Sequence, residues 1–139
     1  MSIQAPRAPL RFLAAAAAAI AAFLYLLIGF EVVYIGESTT GEDPGLLGFG
    51  LSAGITFALI ALLLVLVDRR AVWIAAGLLS ALVFIAYFAM GSIREPSYEA
   101  WGLLIKAMQA VVVLVTGYLL LRASRATEPM RPAGHHPSG

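Results

Sequence analysis

The sequence contains no cysteine. That excludes disulfide exchange, thiolate metal sites, iron–sulfur ligation and acylation at a cysteine. Histidine is nearly as scarce. His135 and His136 sit side by side near the C-terminus with no third ligand at fixed spacing, so no metal centre is expected. No apolar segment holds a histidine that could ligate a haem. Charged residues make up 12% of the chain, against about 25% in soluble domains. The net charge of +1 gives no case for nucleic-acid binding. No phosphate-binding glycine loop, catalytic carboxylate pair or nucleophile–base constellation appears, so neither an enzyme activity nor a cofactor is expected.

What the chain has instead is apolar length. Hydrophobic residues make up 61% of it and the mean hydropathy is +0.91. Its 139 residues leave room for four crossings of ~20 residues each and short connections. The expected fold class is all-α: an integral membrane four-helix transmembrane bundle, with neighbours in sequence packed antiparallel. A polar leader, 1–9, precedes spans at about 10–35, 46–67, 71–90 and 101–121, and a disordered tail, 122–139, follows. The alanine-rich start of the first span looks like a signal peptide. The apolar run Phe23–Phe30 continues past those alanines, however, which favours an uncleaved helix. Asp43-Pro44 suits a cap and first-turn proline for the second span. The short Asp68-Arg69-Arg70 turn implies that spans two and three are antiparallel neighbours.

Charge asymmetry sets the expected orientation. Arg7, Arg11, Arg69, Arg70, Arg122, Arg125 and Arg131 fall on the side of the termini, and only Arg94 falls on the other. By the positive-inside rule both termini are cytoplasmic, in the plasma membrane. Glu37, Glu42, Asp43, Glu95 and Glu99 fall outside. Trp73 on the inner side, with Tyr34, Tyr98 and Trp101 on the outer side, fits interfacial aromatic belts.

Two charges lie within the apolar segments. Glu31 is five residues before Gly36 and Lys106 is five residues after Trp101, which places both about 7.5 Å from the outer helix ends. Tyr87 is at similar depth, and Ser52 and Gln109 are about one turn deeper. Because Cβ atoms tilt toward the helix N-terminus, Lys106 leans outward and could snorkel to water, whereas Glu31 leans inward and needs a partner. The first reading is a Glu31–Lys106 ion pair that fixes helix register. The alternative is a polar pocket, open to the outside, formed by Glu31, Lys106, Gln109, Tyr87 and Ser52. Gly48, Gly50, Gly54, Gly77 and Gly117 are candidate helix-packing positions. The spacing Gly50-x-x-x-Gly54 suits close approach within the chain better than a dimer contact.

The four spans, the length and a glutamate in the first helix resemble the small multidrug-resistance transporters in topology. In that family the glutamate lies deep in the membrane and couples substrate to protons. Glu31 is near the outer end and the charge bias is strong, so the resemblance is confined to topology. The function expected from the residues themselves is that of a small non-enzymatic accessory or assembly component of a membrane complex. A small carrier or ligand-binding protein is the alternative. The expected partners are the lipid bilayer and, at lipid depth, other membrane chains or a second copy.

Overall fold

The computed structural model describes residues 7–32, 44–91 and 100–126. They form four helices: α1 (Arg7–Gly29), α2 (Pro44–Leu66), α3 (Arg70–Gly91) and α4 (Ala100–Arg125). All four are long and apolar enough to cross a membrane. The acidic residues Glu37, Glu42, Asp43, Glu95 and Glu99, together with Tyr34, Tyr98, Arg94, the leader before Arg7 and the tail beyond 126, lie outside the described residues.

Two helix ends differ from expectation by four residues or more, and α1 begins at Arg7, inside the expected leader. α1 stops at Gly29, six residues short of the expected 35. The stop is a Schellman cap: the Val32 N–H donates to the Leu27 carbonyl and the Glu31 N–H to the Ile28 carbonyl, with Glu31 in the left-handed position at φ 57°. At the other end of the chain, α4 runs through Arg122 to Arg125, where a disordered tail was expected. Ser124 bonds back to the carbonyls of Leu120 and Leu121, and Arg122 and Arg125 complement the negative end of the helix dipole.

The buried residues show how the helices meet. On every helix one set of them recurs at alternating intervals of three and four: Ala14, Ala18, Ala21, Tyr25 and Ile28 on α1; Gly50, Gly54, Phe57, Ala61 and Leu64 on α2; Trp73, Ala76 and Ser80 on α3; and Gly102, Ile105, Gln109, Val112, Thr116 and Leu119 on α4, with further buried residues beside it, most of them on α1. That period of 3.5 is the seam of a left-handed bundle. It is hidden in the sequence because the outward faces are apolar too, as at Phe23, Leu78, Leu82, Ile85 and Leu114.

α1 is the most buried helix and the hub of the bundle, with α2 on one side and α4 on the other. α3 leans on α4, and α2 and α3 barely touch. This corrects the expectation drawn from the Asp68 turn. The connection, 67–69, holds one end of the two helices together, while the close contacts of each lie elsewhere. Gly50 meets the Gly29 backbone so tightly that an added Cβ would collide with the Gly29 Cα and N, and one added at Gly54 would lie 2.8 Å from the Leu26 side chain. On α3, a Cβ at Gly77 would lie 2.7 Å from Thr116 Oγ1 of α4. α2 is therefore drawn onto α1 and α3 onto α4, and the hairpin between them opens. Gly48 and Gly117 have open space where a Cβ would be, so neither is a packing position. Trp73 is not a belt residue either, because it is buried at 3% exposure.

At the turn, Arg11 Nη1 of α1 forms an ion pair with Asp68 at 3.2 Å, and its Nη2 donates to the Val65 carbonyl at the end of α2. This clamp joins the start of α1 to the end of α2, as Gly29 and Gly50 join their opposite ends.

Candidate functional site

The candidate site lies on the first two and a half turns of α4, where Lys106 and Gln109 face the centre of the bundle. An ammonium buried away from water is costly unless its hydrogen bonds are replaced, so its neighbours must stand in for water. Lys106 Nζ donates to Gln109 Oε1 at 2.7 Å, to the Tyr25 hydroxyl at 3.3 Å and, more weakly, to the Val83 carbonyl at 3.5 Å. Gln109 Nε2 donates to the same Tyr25 hydroxyl at 3.1 Å, so both acceptor positions of that oxygen are engaged. Two aromatic faces complete the cage. The ammonium lies 4.9 Å from the Tyr87 ring centroid and 5.9 Å from that of Tyr25, within cation–π range.

Three helices contribute to this cluster and α2 orients it. Tyr25 comes from α1, Val83 and Tyr87 from α3, and Lys106 and Gln109 from α4. The Tyr25 ring stacks on Phe57 of α2 at 5.6 Å and meets Phe49 edge-on at 5.9 Å. Tyr87 covers Gly102 closely, so a Cβ there would meet the Tyr87 hydroxyl and push the ring aside. The result is a closed cluster. Lys106 is 4% exposed, Tyr25 4% and Gln109 0%.

Of the five residues expected to share a polar layer, the structure brings together Lys106, Gln109 and Tyr87. Glu31 does not join them. It is exposed in the turn beyond α1 and forms no ion pair with Lys106. The Schellman cap is the physical reason, since it takes residue 31 off the helix and away from the depth that a helix to residue 35 would give it. Ser52 is also absent from the cluster, being exposed on α2 with its hydroxyl bonded back to the Phe49 carbonyl. Sequence reasoning missed Tyr25. Measured from the true end of α1 at Gly29, Tyr25 is four residues in, about 6 Å, level with Lys106. Measured from the expected end near Gly36, it would lie 11 residues in, about 16.5 Å, well below the polar layer.

Further along the α3–α4 seam are two buried polar atoms with no hydrogen-bond partner, Ser80 Oγ and Trp73 Nε1. Thr116 has no such deficit, because its hydroxyl reaches the carbonyls of Val112 and Val113 on its own helix. No group of three or more histidine, aspartate or glutamate side chains that could hold a metal ion occurs among the described residues.

Fold and site together define an all-helical chain with four membrane-length helices around a buried, cationic polar cluster. No family model matches the chain, and neither a curated protein nor a solved structure is detectably similar to it.

Proposed function

We propose that this chain is a multi-pass membrane protein with both termini cytoplasmic, acting as a non-enzymatic accessory or assembly component of a membrane complex. The apolar outward faces of all four helices support the membrane reading, because such a surface has no stable place in water. The arginines at the Asp68 turn and the two ends support the orientation.

One observation carries the accessory reading: the polar cluster is closed. Lys106, Gln109 and Tyr25 satisfy one another inside the bundle, and Glu31 and Ser52, which an outward-opening pocket would use, lie elsewhere. Such a cluster fixes the register of α1, α3 and α4 and, among the described residues, leaves no polar path for a substrate. The surface for a partner chain is on α3, the least covered helix, where Ile74, Leu78, Leu82 and Ile85 form a continuous outward ridge.

Purification from native membranes in mild detergent tests the reading. A partner chain is expected at fixed stoichiometry and should be lost from a Leu78→Trp/Leu82→Trp variant that still accumulates and elutes as wild type. Saturable solute flux by the chain alone in vesicles, abolished by Lys106→Met, would instead establish the carrier. Orientation has a separate check, since an impermeant thiol reagent applied to intact cells should label Ser38→Cys and spare Ser124→Cys.

A further inference from the structure

We infer that the opening between α2 and α3 is a seat for one acyl chain of an anionic phospholipid whose headgroup is held by Arg69 and Arg70; the inference rests on the membrane reading above. The hairpin leaves a cavity of about 210 Å³, open on one side and lined by Ile60, Leu63, Ala71, Val72, Ala75 and Ala76. Every lining side chain is apolar, so a bound water would find none of the two to four polar partners it needs. The size selects among apolar occupants. It exceeds the ~150 Å³ cavity known to hold benzene, and at roughly 30 Å³ for a methylene-sized group it takes about seven methylenes. A helix, about 10 Å across, is too wide to enter.

Charge selects the headgroup. The cleft starts at the first turn of α3, and Ala71 and Val72 directly follow Arg69 and Arg70 in the chain. The carboxylate of the same turn is already engaged, because Asp68 pairs with Arg11 at 3.2 Å. Arg69 and Arg70 are exposed and form no ion pair among the described residues. Two exposed arginines without an ion pair among the described residues thus directly precede the lining residues Ala71 and Val72, at the end of the hairpin assigned to the cytoplasmic leaflet. Arginine recognises phosphate with paired N–H donors. The alanines at 71, 75 and 76 make the slot, and larger side chains there would fill it.

The test uses the full chain in nanodiscs of phosphatidylcholine and phosphatidylglycerol, followed by mild-detergent release and native mass spectrometry of retained lipid. One phosphatidylglycerol per chain is expected. Arg69→Gln/Arg70→Gln should reduce its preference over phosphatidylcholine by about 30-fold, the order expected for two arginines at an anionic surface. Ala75→Leu should abolish retention of either lipid, and Ala71→Leu, also at an exposed position, provides a second filling variant. Equal retention of the two lipids by wild type, or undiminished retention in both filling variants, would overturn the inference. So would a wild-type dimer that Ala75→Leu dissociates, because the cleft would then belong to a second copy. Carbonate washing separates the two levels of the reading. A chain that stays in washed membranes but shows no phosphatidylglycerol preference defeats the lipid seat alone, and a chain released by the wash defeats the membrane reading and the seat with it.

Discussion

Substitution of Gly50 by alanine tests the packing at its tightest point. A Cβ at Gly50 would meet the Gly29 Cα and N, and would lie 2.8 Å from the Tyr25 carbonyl oxygen. All three are backbone atoms and cannot turn aside as a side-chain end would. Ordinary carbon contacts are about 3.5–4.0 Å, so α2 must withdraw from α1 by roughly 1 Å. The shift would loosen Phe49 and Phe57, which flank Tyr25. Overpacking of this kind costs about 1–3 kcal/mol, offset by the ~1 kcal/mol that alanine gains over glycine in a helix. A net loss of about 1 kcal/mol, and at most about 2, is expected. Gly48→Ala is the matched control, two residues away and in open space, and should be neutral or stabilising by up to ~1 kcal/mol. Reversible unfolding in mixed micelles with increasing sodium dodecyl sulfate, followed by circular dichroism, gives both values. Equal stability of Gly50→Ala and Gly48→Ala would refute the close α1–α2 contact.

The polar cluster and the α1 cap give two further expectations. Gln109→Leu leaves Lys106 without its shortest hydrogen bond and should destabilise the same unfolding transition by about 2–3 kcal/mol. Lys106→Met/Gln109→Leu, which removes the charge as well as its acceptor, should recover most of that loss; a double variant as unstable as the single one would contradict the structural role. Glu31→Gly places glycine at the left-handed cap position and should stabilise by about 1 kcal/mol. A loss of stability there would point back to a Glu31 side chain engaged within the bundle.

The number of membrane-length helices and their apolar character were legible in the sequence because they rest on composition and on Gly, Pro and charge between the apolar runs. The bundle order was not. α2 and α3 are joined by a short turn, yet the decisive contacts are Gly29 with Gly50 and Gly77 with Thr116; Gly50, Gly54 and Gly77 stand out as packing positions, but nothing in a uniformly apolar helix tells which other helix they will meet. The site was half legible. Lys106 and Gln109 stand out in an apolar run, but their third member depended on where α1 ends. Glutamate is an uncommon left-handed cap residue, so nothing at position 31 announced the stop, and the six-residue error exchanged Tyr25 for Glu31 as the partner of Lys106. Trp73 shows the same limit. A tryptophan near a helix end suits either a lipid-facing belt or the bundle interior, and packing alone places it inside.

The chain has a single lysine, so an amine-reactive reagent reports on the polar cluster without any substitution. With the protein in mild micelles, where both ends of the bundle meet the reagent, an N-hydroxysuccinimide ester followed by peptide mass spectrometry reads the modification of Lys106 against that of the N-terminal amine. A closed Lys106–Gln109–Tyr25 cluster predicts a modified N-terminus, an unmodified Lys106, and Lys106 modification only after unfolding in sodium dodecyl sulfate. Modification of Lys106 in the folded protein, at a rate near that of a free amine, would contradict the closed site and restore the ligand-binding reading.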